Sequence, residues 1–146
     1  MSDYMKIVAE ARASDDCGRM LDAIPYMSFM GITLRRSAGE LLTVMRFSDH
    51  LIGNPTLPAL HGGTLGALME SAAVFELMWR VDMTTVPKVI NITVDYLRSG
   101  QPVDTYAKAK LSRQGRRVAN VSVQAWQDDR ERPIASANLH CLISPS

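Results

Sequence analysis

The chain has 146 residues, enough for one domain with a substantial core, and 47% of them are hydrophobic, an ordinary globular fraction. A net charge of +1 excludes a protein that grips nucleic acid by bulk charge. The two cysteines, Cys17 and Cys141, stand at no metal-ligand spacing, so reduced thiols in a cytoplasmic protein and no metal are expected.

Met1 to Lys6 mixes acidic and basic side chains with no apolar run, unlike a secretory signal. Residues 3–23 read as an amphipathic helix with Tyr4, Ile7, Val8 and Ala11 on one stripe. Asp15, Asp16 and Gly18 are possible breaks in it, and Pro25 ends it. Residues 27–35 look like a strand, Ser37-Ala38-Gly39 like a turn, and Glu40 to Phe47 like a second strand. A loop over 48–60, carrying Asn54-Pro55 and Pro58, leads into an apolar helix from about 62 to 80. That stretch is nearly long enough to span a bilayer. His61, Glu70, Glu76 and several Gly and Pro breakers make it a buried helix of a soluble protein instead.

Two acids interrupt this helix. Glu76 has Arg80 four residues on and reads as an ordinary surface pair. Glu70 has only Gly66, Ala67, Ala73 and Val74 at helical spacing, with no cation in reach. The small residues Gly63, Gly66, Ala67 and Ala73 leave room for a second backbone or a narrow ligand. Beyond the helix the period changes. Residues 89–98 alternate, with Ile90, Ile92, Val94 and Tyr96 on one face, and three further alternating stretches follow over 104–113, 117–126 and 134–143. Gln114-Gly115 and Asp128-Asp129-Arg130 mark the turns between them. Consecutive strands with short turns argue for an antiparallel sheet, here of five to six strands. The class is α+β, in one domain over 1–146: an N-terminal helix (1–25) and a core (26–146).

The order of elements, together with His61-Gly62-Gly63 followed by Glu70, the strand Asn91 to Arg98, and Gln114 to Ala119 opening a later strand, resembles the hotdog-fold acyl-CoA thioesterases, in the PaaI-like branch. The resemblance implies a sheet wrapped around one long central helix. It also implies hydrolysis of an acyl-CoA, with coenzyme A entering as part of the substrate and no separate cofactor, by a homodimer that often pairs into a homotetramer. By the same resemblance the Gly62 N–H polarises the thioester carbonyl and Glu70 is the catalytic carboxylate. His61 belongs to the motif, and Asn54 stands near a family Asn or Gln that holds water or the carbonyl, one residue further from His61 than in the family. Gly115, Arg116, Arg117 and Arg98 are candidates for the nucleotide end of coenzyme A. Gly63, Ser71 and Val74 complete the substrate-binding set. The chain departs from the family where a Ser or Thr orients the water: Val74 and Pro87 occupy those two places.

Elementary chemistry agrees with part of this. A helix N-terminus offers free N–H groups and a partial positive charge of roughly half a unit. Gly62 and Glu70 are eight residues apart, about 12 Å along a helix axis. One carbonyl cannot meet both, so donor and acid are expected from two copies of the helix across a twofold axis. Blander roles compete: His61 as a helix cap, Arg113, Arg116 and Arg117 as a solvated turn, the methionines as core filler. Hydration or dehydration of an acyl thioester, and acyl-thioester binding without catalysis, are the alternative functions. Leu51, Ile52, Leu57, Met69, Val74 and Met78 are the expected walls of a pocket for a medium or aromatic acyl group. No nucleic acid or membrane partner is expected.

Overall fold

The computed structural model describes residues 1–145. Helix α1 (Asp3–Ser14) starts on the Ser2 hydroxyl, which accepts the Met5 N–H, and stops at Asp15 rather than running on to 23. Asp15 takes the left-handed conformation (φ 52°), and its N–H turns back to the Ala11 and Arg12 carbonyls. A single 3-10 turn, Cys17–Met20, follows.

The strand expected from 27 is instead helix α2 (Pro25–Met30), with Pro25 in its first turn and Gly31 (φ 69°) capping its end. Met27 and Met30 are buried at i, i+3, a helical spacing that the apolar composition of 27–30 concealed. Strands β1 (Ile32–Ser37) and β2 (Glu40–Met45) form a hairpin on Ala38-Gly39, both at positive φ, the backbone a two-residue hairpin favours.

The loop over 48–60 contains a 3-10 turn, Asp49–Leu51, and a small ladder of β3 (Ile52–Asn54) with β4 (Ala59–Leu60). Helix α3 (Gly62–Arg80) and strands β5 (Lys88–Tyr96), β6 (Thr105–Gln114), β7 (Val118–Trp126) and β8 (Ala135–Leu142) complete the fold. The main sheet has the order β1-β2-β6-β7-β8-β5 and is antiparallel at every pair. Six strands around one long helix is the expected hotdog architecture.

Helix α3 lies on the inner face of this sheet. The strands meet it with small residues, Ala107 and Ala109 on β6, Ala119 and Ala125 on β7, Ala135 and Ala137 on β8, all buried. These leave space for Leu65, Leu68, Met69, Phe75 and Met78 of the helix. Each such side chain contributes about 1.5–3 kcal/mol on burial. Among the described residues no helix is long and apolar enough to cross a membrane.

Glu76 is not a surface residue. It is buried, and its Oε1 meets both Arg80 Nε (3.1 Å) and Lys108 Nζ (3.3 Å) of β6. The helix pattern revealed Arg80 but could not reveal Lys108. A buried carboxylate that loses one of its cations is strongly disfavoured. Lys108→Met is therefore expected to cost about 2 kcal/mol in chemical denaturation, Arg80 retaining part of the compensation. Glu76→Gln in the same background should recover most of it.

The predicted inward row of β5 holds only in part. Val89 pairs with Cys141 and Asn91 with His140, so Ile90 is an extra residue in a bulge and stands 56% exposed. Ile92 and Val94 pack against the core. β5 is an edge strand: β8 occupies one side and the other is open among the described residues.

Candidate functional site

The site is built on the N-terminus of α3. His61 is the N-cap, with Nδ1 accepting the Gly63 N–H at 2.9 Å, and its carbonyl accepts both the Thr64 N–H and the Thr64 hydroxyl. The imidazole therefore caps the helix. The His61 N–H donates to the Leu51 carbonyl at 2.9 Å, which ties this turn to the loop before β3. Gly53 backs the same contact so closely that a Cβ on it would lie 2.6 Å from His61 Cα. The Gly62 N–H finds no acceptor among the described residues, as befits one of the four orphan donors of a helix start.

Two residues have roles here that the sequence did not show. Gly53 carries no local signal of its contact with His61, which is made by chain eight residues on. Tyr96 falls in the inward row by alternation, yet it stands at the end of β5. Its ring lies against Gly62, where a Cβ would be 3.1 Å from it, and its hydroxyl donates to the Gly62 carbonyl at 3.0 Å. A tyrosine with an apolar ring and a polar tip suits such a place at a strand end.

Glu70 is exposed on the same helix. Cys141 of β8 is buried. Its thiol is pushed up to about 11, first by burial and then by the negative charge of Glu70. Val89 of β5 pairs with Cys141, whereas Tyr96, at the other end of β5, packs on Gly62. Gly62 and Glu70 are eight residues apart on α3, about 12 Å along its axis, so no single carbonyl reaches both within one protomer. Cys141 is expected to make the fold sensitive to alkali. The protonated thiol is favoured in the folded state, so its contribution is intact below about 9 and is lost as pH rises through about 11. Tyr4, raised by burial to about 12, acts in the same direction at slightly higher pH. Denaturant titrations from pH 8 to 11 should show Cys141→Ala losing less stability than wild type, by about 2 kcal/mol.

The remaining predicted residues divide by location. Ser71 donates its hydroxyl to the Ala67 carbonyl at 2.7 Å, and with Glu70 and Val74 it borders a cavity of about 280 Å³. Met78 also lines it, but Leu51, Ile52, Leu57 and Met69 do not. Two of the six expected wall residues, Val74 and Met78, border this cavity, and residues of α1 and α2, which fold over this face, stand in place of the other four. Gly115, Arg116 and Arg117 border a larger cavity of about 770 Å³ with Arg113 and Asn120, in the β6–β7 turn. Arg98 is not with them. It shares a hollow with Gly62, Tyr96 and Gly100 at the opposite end of β5. Asn54 uses its Oδ1 within its own loop, accepting the Thr56 and Leu57 N–H groups, so the group it would turn to a carbonyl is its Nδ2 amide N–H. Among the described residues no group of three His, Cys, Asp or Glu side chains converges on a metal-sized point.

The sequence profile of the thioesterase superfamily matches residues 57–134, from the loop before α3 to the start of β8. A protein from Chromobacterium violaceum is similar over 95% of this chain and 97% of its own, at 37% identity and a TM-score of 0.79. The chain belongs to the thioesterase superfamily, and this membership supports thioester hydrolysis as its general chemistry. A phenylacetic acid degradation-related protein from Ralstonia eutropha shares the fold at 22% identity, with a TM-score of 0.77 over 93% of this chain and 98% of its own. So does a Bacillus halodurans protein crystallised with CoA, at 17% identity and a TM-score of 0.76 over 99% of this chain and 93% of its own. No curated protein matches the chain.

Proposed function

We propose that the protein hydrolyses acyl- or aroyl-coenzyme A thioesters as a cytoplasmic homodimer, itself paired into a tetramer, in a single domain spanning 1–146. Each site combines Gly62 of one protomer with Glu70 of the other. The observation that supports this reading is the separation of the two groups along α3 beside an edge strand, β5, whose outer side is open among the described residues. An unpaired nine-residue edge with exposed Ile90 and Tyr96 is a template for another strand. Antiparallel pairing of β5 with its own copy exchanges the two ends. Each Glu70 then lies beside the partner's helix start, and the β6–β7 turn lies beside the other protomer's counterpart of Arg98. The arginine set divided within one chain is thereby reunited for the coenzyme A phosphates.

In such a site the thioester oxygen sits at the Gly62 N–H, a donor worth about 3–4 kcal/mol as charge develops on it. Glu70 takes a proton from water, and the hydroxide formed attacks the carbonyl carbon. The tetrahedral intermediate collapses, the C–S bond breaks, and the thiolate recovers the proton as free coenzyme A. Direct attack by Glu70 would instead pass through an acyl anhydride. Single turnover in isotope-labelled water separates the two routes, since only direct attack leaves label in the Glu70 carboxyl.

A second reading has its own observation. Val74 borders the cavity at the place where the family carries a hydroxyl, which favours acyl-thioester binding without turnover. Thiol release over a panel of acyl-CoAs, with wild type beside Glu70→Gln, decides. The expected result is release by wild type and a loss of about a thousandfold in the variant. Binding without release would support the second reading. A change in enoyl absorbance without thiol would indicate hydration chemistry.

A further inference from the structure

The cavity beside Glu70 is walled mainly by two parts of the chain, with Val86 between α3 and β5 completing it. From α3 come Val74, Phe75 and Met78, one helical stripe leading away from Glu70 and Ser71. From the N-terminal segment come Tyr4 of α1, Ile24, and Tyr26 and Met27 of α2. These last four residues precede the stretch matched by the superfamily profile, which begins at 57. Tyr4 is held in place, its hydroxyl donating to the Met20 carbonyl across the 3-10 turn, and Met27 is buried. Tyr26 is half exposed at the rim. The walls are mainly apolar side chains, and the polar atoms of Glu70 and Ser71 gather where the scissile carbonyl would lie.

We infer that the N-terminal segment is the acyl selector of this enzyme. Tyr4, Tyr26 and Met27 roof the α3 stripe and limit the acyl group to medium size, linear or ending in one aromatic ring. The inference rests on the hydrolytic reading above. The size suits such a group: about 280 Å³ is nearly twice the ~150 Å³ that admits a benzene ring, room for about six to ten carbons. Tyr4, fixed by its bond to the Met20 carbonyl, walls the cavity on the α1 side. The roof is covalently part of the same chain as the Glu70 it covers, so selectivity is set within one protomer even though the catalytic pair is shared.

The test is the acyl-length profile of kcat/KM, from two to sixteen carbons with phenylacetyl-CoA alongside, for wild type, Tyr4→Ala and Tyr26→Ala. Wild type should peak between six and ten carbons or at phenylacetyl, and fall at least about tenfold by sixteen. Tyr4→Ala should raise the ratio of the fourteen- to the eight-carbon rate at least about tenfold, by opening the end of the cavity. Tyr26→Ala, at the half-exposed rim, provides a variant that keeps its fold if loss of the Tyr4 hydrogen bond unfolds the first, with thermal melts as the check. It should shift the same ratio in the same direction. If wild type hydrolyses thioesters but its profile is flat, or neither folded variant moves the ratio, the selector role is overturned while hydrolysis stands. If wild type releases no thiol from any substrate, the hydrolytic reading fails and the selector role with it.

Discussion

Mixing Glu70→Gln protomers with Gly62→Pro protomers, each inactive alone, is expected to restore thioester hydrolysis to about a quarter of the wild-type rate. Proline at position 62 removes the one N–H that the mechanism needs. It does so at the first helical position, where proline is tolerated because that N–H has no helical partner. His61 already has φ −65° and ψ 130°, the extended conformation that a following proline requires. The proline ring will press on Tyr96, which is 56% exposed and can yield. Each homodimer lacks one half of both sites, and each should fall about a hundredfold or more. In a mixed dimer both defects fall in one site, and the other has an intact Gly62 and an intact Glu70. Random exchange makes half of the dimers mixed, each with one working site of two, hence a quarter. A site contained within one protomer predicts no recovery at any mixing ratio. The readout is thiol release after co-refolding, with size-exclusion chromatography confirming that both variants still dimerise.

Gly53→Ala should lower kcat/KM by about a hundredfold while the protein stays folded, although the residue touches no substrate. Its added methyl would stand 2.6 Å from His61 Cα and 2.7 Å from His61 Cβ, the first of these a backbone atom that cannot swing away. His61 must retreat by most of an ångström. It carries the cap on Gly63, and the Gly62 N–H follows it directly in the chain. Overpacking of this kind also costs about 1–3 kcal/mol, so a lower melting temperature should accompany the kinetic loss. The informative comparison is Gly66→Ala on the same helix, where a Cβ meets nothing within 4 Å in the protomer. That change should not lower the protomer's stability, since alanine favours helix by about 1 kcal/mol over glycine. An unchanged rate in Gly53→Ala would mean that the position of the helix start is not critical.

Local pattern and spacing carried much of this molecule. The long helix was legible because a mainly apolar run, interrupted by only two acids, joins the His61-Gly62-Gly63 start to Arg80, and both ends lie where the sequence put them. The last three strands were legible because their inner residues alternate cleanly and their turns carry Gly or Asp. The candidate donor and acid came from the resemblance carried by His61-Gly62-Gly63 and Glu70, and their eight-residue spacing pointed to two copies of the helix. What eluded the sequence was decided by partners distant in the chain. The short helix at Pro25–Met30 was hidden in an apolar run that suits either period until the core chooses Met27 and Met30. Ile90 turned outward because a bulge against β8 broke the register that alternation assumes. Glu76 became buried because Lys108, on a strand 32 residues later, reaches it. Arg98 and the β6–β7 turn proved to lie at opposite ends of β5, since an antiparallel strand places its first and last residues tens of ångströms apart. Periodicity records what a residue's own neighbours require. Which distant groups meet is set by register and packing across the sheet, and only the tertiary structure holds that information.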